Sequence, residues 1–122
     1  MGKSAYCMVE EIRRAIGDSE IAVSVITVLE LAHGIARADT AERRAVRQKF
    51  LDDLLAGMPV QPVTVAIAFR AGKIDGEMRA VGRSIALADL LIGSTALEFG
   101  HIVATGNPRH FEMIPGLTLI HL

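Results

Sequence analysis

Short apolar runs rich in β-branched residues alternate along this chain with stretches of helical periodicity, and that alternation leaves few folds open. The runs fall at residues 21–26, 60–63, 101–104 and 117–121. The first is short and wholly apolar apart from Ser24, as a buried strand should be. Pro59 before the second and Pro62 within it confine it to an edge or an end. Helical stretches lie between the runs. Ala5, Met8, Val9, Ile12 and Ile16 repeat at helical spacing before Gly17. Thr27 opens a helix directly after the first strand. Thr40 opens another that reaches about Gly57, with Val46, Phe50, Leu51, Leu54 and Leu55 on its inner side. Thr64 caps a helix to about Val81, weakened by Gly72 and Gly76, and a last helix runs from Ser84 or Ile85 to Gly100. Strands separated by helices imply an α/β domain with a mainly parallel sheet. A chain of 122 residues, 51% hydrophobic, suits one domain over 1–122.

Composition removes several functional classes. The net charge is −1, so no global field draws the chain to nucleic acid or to a membrane, and any such contact must be local. Cys7 is the only cysteine, which excludes an internal disulfide and fits a reducing, cytoplasmic setting. On an apolar helical stripe it reads as a small core residue. No apolar run is long enough to span a bilayer, and the first residues lack the apolar core of a signal peptide.

Chemistry is expected where strands turn into helices, because ligands of parallel sheets collect beyond the carboxyl ends of the strands. Three polar positions can converge there: Glu30, Asp89 and Asn107, the last with Thr105 beside it. Between residues 85 and 102 the only charges, with His taken as neutral, are Asp89 and Glu98. Asp89 shares a helical face with Ile85 and Ile92 and should point inward. A carboxylate buried without a cation costs several kcal/mol, so it must protonate, find a cation or bind a metal. Pairing with Ser84, Ser94 or a remote Arg is the plain alternative to a metal. Glu30 has a stronger plain reading, since Thr27-Val28-Leu29-Glu30 matches a capping box.

The remaining polar features are weaker. His33, His101, His110 and His121 form no i,i+4 pair and have no Cys neighbour, so zinc is not expected. Thr105-Gly106-Asn107-Pro108 reads first as a turn. Arg43, Arg44, Arg47 and Lys49 precede Asp52 and Asp53 on one helix, an order that opposes the helix dipole. A solvated face accounts for it, and a basic ridge for phosphates or an acidic partner is the alternative.

Three segments together resemble PIN-domain ribonucleases, specifically the VapC-type toxins of bacterial toxin–antitoxin pairs. They are Ser24-Val25-Ile26-Thr27-Val28-Leu29-Glu30-Leu31-Ala32-His33-Gly34, Ile85-Ala86-Leu87-Ala88-Asp89-Leu90-Leu91-Ile92, and Val103-Ala104-Thr105-Gly106-Asn107-Pro108-Arg109-His110-Phe111. The resemblance implies a three-layer α/β/α sandwich and cleavage of an RNA substrate dependent on Mg²⁺ or Mn²⁺. It also implies a homodimer and an antitoxin protein that fills the acidic cleft. By position, Glu30 and Asp89 match two of the family's metal-binding acids, Asn107 matches its polar residue after the fourth strand, and His110 stands where an acid often precedes the Phe. The catalytic set expected on this basis is Glu30, Asp89 and Asn107, with Arg109 beside the phosphate. One departure is the start of the chain: family members begin with a central strand ending in a metal-binding Asp, and Met1-Gly2-Lys3-Ser4 leads directly into the first helix. Two expectations follow, an active endoribonuclease toxin, or a catalytically weak or inactive relative that still binds an antitoxin.

Overall fold

The computed structural model describes residues 4–17 and 20–122, and they pack as two compact units, Met1–Gln61 and Pro62–Leu122. Each unit holds helices and one two-stranded parallel ladder, so the α/β class and the parallel pairing are as the sequence implies.

The first unit starts with α1, Ala5–Ile16. Ser4 caps it by accepting the Cys7 N–H at 3.1 Å, and Gly17 ends it at φ 74°, a conformation that suits a residue without Cβ. Ala5 and Ile12 are buried while Cys7 is exposed. Cys7 is therefore not a core residue: two positions after Ala5, it sits about 200° around the helix, on the opposite face.

Strand β1, Val23–Ser24, pairs in parallel with β2, Val60–Gln61, in the register Val23 with Val60 and Ser24 with Gln61. It is shorter than its apolar run because Ser24 accepts the Ile26 N–H at 3.1 Å and α2, Val25–Ala36, starts at once. The third helix, α3, covers Ala41–Gly57 and is capped by Thr40, as expected. Leu51 and Leu54 are its buried residues, with Phe50 packed beside them, whereas Val46 and Leu55 stay exposed. The core of this unit gathers Ala5, Val23 and Leu54, with Met8, Val28, Leu31, Phe50 and Met58 around them.

The basic stretch of α3 is used locally. The guanidinium of Arg43 pairs with Asp39, that of Arg44 donates to the Ala38 carbonyl, and that of Arg47 donates to the Gly34 carbonyl. Lys49 pairs with Asp53 at 2.9 Å, and that hydrogen bond raises its pKa above the ordinary lysine value. The order that opposes the dipole of α3 has a reason: Arg44 and Arg47 answer free carbonyls at and after the last turn of α2, where cations are favoured.

The second unit packs α4, Val65–Ala80, against α5, Leu87–Phe99. Thr64 caps α4 by accepting the Ile67 N–H, and Gly100 at φ 66° ends α5, both as the sequence predicts. The start of α5 differs from expectation. Ala86, not Ser84 or Ile85, takes the N-cap place and makes no side-chain cap bond, while Ile85 is buried in the core. Strand β3, Val103–Thr105, pairs in parallel with β4, Leu119–His121. Between them Pro108–His110 forms a single 3-10 turn. The core comprises Ala71, Ile74, Ile85, Leu90, Ala96, Val103, Phe111 and Ile114. Gly93 sits where a Cβ would collide with Ile114 Cδ1, which lets the segment after the turn close on α5.

Candidate functional site

Asp89 is the third residue of α5, and its side chain is only 16% exposed. The first turn of a helix favours an acid, because the unpaired amide groups there carry partial positive charge. That accounts for a carboxylate at this place but not for its shielding. The pairings that would make it a satisfied core residue are not formed. Ser94 is fully buried with no hydrogen-bond partner for its hydroxyl, Ser84 is exposed, and Arg70 pairs with Glu98 at 2.8 Å. Among the described residues, the Asp89 carboxylate accepts no hydrogen bond, and its one ion-pair partner is His110, whose Nδ1 lies 3.6 Å from Oδ2.

His110 reaches that place through the loop that follows β3. Thr105 Oγ1 accepts the backbone N–H of Asn107 at 3.0 Å and turns the chain as it leaves the strand. Pro108 then opens the 3-10 turn, its ring fixing φ where a free N–H is not needed. Buried Phe111 anchors the far end of the turn in the core. Asn107 Nδ2 donates to His110 Nε2 at 2.9 Å, which completes a chain from Thr105 through Asn107 and His110 to Asp89.

Asp89 and Asn107 are thus brought together beyond the carboxyl end of a parallel strand, through His110, which the resemblance marked only as standing where an acid often precedes the Phe. His110 carried a local signal, its position three residues after Asn107 with Pro108 between them. Arg109 is exposed beside it, without a hydrogen bond or ion pair among the described residues. Glu30 stands in the other unit, on α2, and is exposed. The capping box expected of it does not form: Ser24 is the cap, so Thr27 is already the third helical residue and Glu30 lies beyond the first turn. Among the described residues its carboxylate has no hydrogen bond or ion pair.

No cluster of three or more His, Cys, Asp and Glu side chains among the described residues could enclose a metal ion. The donors of the second unit fit a different kind of site. One shielded carboxylate without a hydrogen bond, with only an imidazole at 3.6 Å beside it, suits a divalent ion that keeps most of its water, as Mg²⁺ does when it binds through one or two carboxylates and a phosphate. A shallow groove along α4, lined by Val65, Ala68, Phe69, Gly72 and Lys73, holds no carboxylate or imidazole and is not a catalytic centre.

Comparison with known proteins identifies the family and the fold. Residues 7–117 match the PIN domain family. Ribonuclease VapC10 of Mycobacterium tuberculosis is 40% identical over 100 residues, 82% of this chain and 69% of that protein. VapBC2 from Rickettsia felis, solved bound to a DNA fragment from its promoter, superposes with a TM-score of 0.79 at 26% identity, covering 96% of this chain and 84% of that one. VapBC-5 from Mycobacterium tuberculosis, a member of the VapBC family of toxin-antitoxin systems, gives 0.74 at 25% identity, with coverages of 83% and 81%.

Proposed function

The chain belongs to the PIN-domain family, in its VapC type, and on that footing we propose that it is a metal-dependent endoribonuclease acting as the toxin of a toxin–antitoxin pair. The observation that carries the chemistry is the Asp89 carboxylate, shielded and without a hydrogen bond beside a braced imidazole. A carboxylate kept in that state costs stability and is retained where it has a ligand. The single family match over 7–117 supports reading the chain as one PIN-like domain.

In this reading Asp89 is the metal-holding acid of the second unit. Glu30 is a further metal-binding and catalytic acid, supported by an exposed carboxylate that no cap employs. The chemistry that Mg²⁺ or Mn²⁺ supplies when bound is activation of water and neutralisation of phosphate charge. Asn107 holds His110 at the mouth of the site, and Thr105 fixes the turn that carries both. Exposed Arg109 offers a guanidinium to the RNA phosphate, suited to bidentate contact. The protein partner is an antitoxin, which is the assembly named for the VapBC-5 relative. Val65 and Phe69 of α4, 74% and 77% exposed, give this chain apolar surface for such a partner or for a second copy in a homodimer. Among the described residues, no helix is long and apolar enough to cross a membrane.

The test is cleavage of structured RNA by the chain in Mg²⁺ or Mn²⁺, with Asp89→Asn alongside and folding checked by circular dichroism. Cleavage that disappears in EDTA and in the folded variant supports the reading, and full activity of Asp89→Asn removes the site assignment. A second reading, a catalytically weak relative that acts by binding its antitoxin, is favoured by the lack of a three-donor cluster among the described residues. It predicts antitoxin binding with no cleavage by the folded chain.

A further inference from the structure

The arginines of this chain differ in what their guanidiniums hold. Arg43, Arg70 and Arg79 each pair with a carboxylate, of Asp39, Glu98 and Asp75, which neutralises the charge where it stands. Arg44 and Arg47 hold backbone carbonyls instead, Arg44 that of Ala38 at 3.2 Å and Arg47 that of Gly34. A carbonyl steers a guanidinium but leaves its charge in place. It also takes only one of five N–H donors, so most of the planar fork stays free. Arg37, the C-cap of α2, lies between Gly34 and Ala38 in the chain and is exposed. Among the described residues its side chain has no hydrogen bond or ion pair.

Closing the end of α2 does not require this much charge. Each of the two carbonyls is answered by one N–H, which a neutral amide could supply equally well. Residues 33–47 nevertheless carry four arginines against Asp39 and Glu42, an excess of two positive charges in a chain whose net charge is −1. All four arginines are exposed. The forks of Arg44 and Arg47 rise from neighbouring positions on α3, and their acceptors lie about one turn apart at the end of α2. Guanidiniums that are set in advance, still charged and rich in open donors suit the oxygens of a repeating phosphate chain.

We propose that Arg37, Arg44 and Arg47 form a phosphate-binding corner between α2 and α3 that grips the backbone of an RNA strand. The inference rests on the ribonuclease reading for the identity of the polyanion, and adds where the strand is held. Within the first unit, Glu30 lies one turn before Gly34 on the same face of α2, so a strand on the corner runs on towards that acid. Contacts of this kind set position along the strand and read no sequence. An acidic protein segment fits the corner less well. Between residues 33 and 45 no large apolar side chain is exposed, so the corner lacks the apolar centre on which protein interfaces are built.

The test is binding of labelled polyuridylate, followed by fluorescence anisotropy over a series of salt concentrations. EDTA is present, so that no metal-dependent cleavage intervenes. The full chain is compared with Arg37→Gln, Arg44→Gln, Arg47→Gln and Arg79→Gln. Glutamine keeps an N–H for the carbonyl, and thermal melts check that each variant is folded. Each corner variant should lower the slope of log affinity against log salt by about 0.7, the value for one phosphate contact on a single strand. Arg79→Gln removes the same charge from a guanidinium that Asp75 holds in the second unit, and should leave the slope unchanged. An equal fall in Arg79→Gln would show that only net charge is read, and overturns the proposal. An unchanged slope in the folded corner variants overturns it too. So does corner-dependent binding of polyglutamate without that of polyuridylate, which would make the corner a seat for an acidic protein. The nuclease reading stands or fails separately. Corner-dependent binding by a chain that cleaves no RNA in Mg²⁺ or Mn²⁺ keeps the corner and removes the ribonuclease. Cleavage abolished by Asp89→Asn, with binding indifferent to the corner, does the reverse.

Discussion

The two acid-bearing helices, α2 and α5, solve the same problem in opposite ways. Helix α2 has a side-chain cap, Ser24, and leaves Glu30 in solvent beyond its first turn. Helix α5 has no side-chain cap and carries Asp89 within its first turn, shielded and facing an imidazole. A solvated carboxylate costs nothing and says little about function. A shielded one needs a cause, and the pairings the sequence offered go elsewhere, Arg70 to Glu98 and Ser94 to nothing, which leaves only the 3.6 Å contact with His110. The difference shows that the informative acid is the one whose local structure does not satisfy it.

The largest effect is on activity, and it comes from setting the two acids side by side in cleavage assays and in thermal melts with and without Mn²⁺. At an ion concentration tenfold above Kd, binding to the native state stabilises by about 1.4 kcal/mol. We expect Asp89→Asn to abolish this ion-induced rise together with RNA cleavage. Glu30→Gln should abolish cleavage while its melt without metal matches the parent, because its carboxylate has no partner to lose. A Glu30→Gln chain that melts well below the parent would mean that Glu30 has a structural role after all.

On stability, the largest effect is at the anchor of the site. Phe111 is buried against the core at the end of the turn bearing His110, so Phe111→Ala should cost about 3–5 kcal/mol. Urea unfolding measures it, and a loss under 1 kcal/mol would show that the turn is not held from within.

A smaller effect tests the cap. Ser24→Ala should cost about 1 kcal/mol, while Glu30→Ala leaves stability unchanged; the reverse ranking by thermal melt would restore the capping box. Smallest is Ser94→Ala, which removes a buried hydroxyl with no partner and should leave stability unchanged or raise it by up to about 1 kcal/mol. A clear loss in a calorimetric melt would reveal a partner for Ser94.

What the sequence made legible follows from how local each cause is. The starts of α3 and α4 and the ends of α1 and α5 were readable because one residue at each place, Thr40, Thr64, Gly17 and Gly100, supplies its own reason. The start of α2 was misplaced because two hydroxyls, Ser24 and Thr27, compete within one β-branched run. Pairing of Ser24 with Gln61 in the ladder, a contact far along the chain, puts the earlier one at the cap. Among candidate site residues, Asp89 and Asn107 stood out by type and place. His110 did not, because its meaning comes from a turn that Thr105, Pro108 and Phe111 build together and from an acid 21 positions earlier in the chain.

The central claim is that Asp89 is kept shielded in order to hold an ion. The most direct measurement is a crystal grown with Mn²⁺ and examined at the manganese absorption edge. An anomalous peak within bonding distance of Asp89 Oδ2 is the expected result. An ordered Asp89 with no peak beside it, its carboxylate closed instead into a hydrogen bond with His110, would contradict the account and return Asp89 to the structural core.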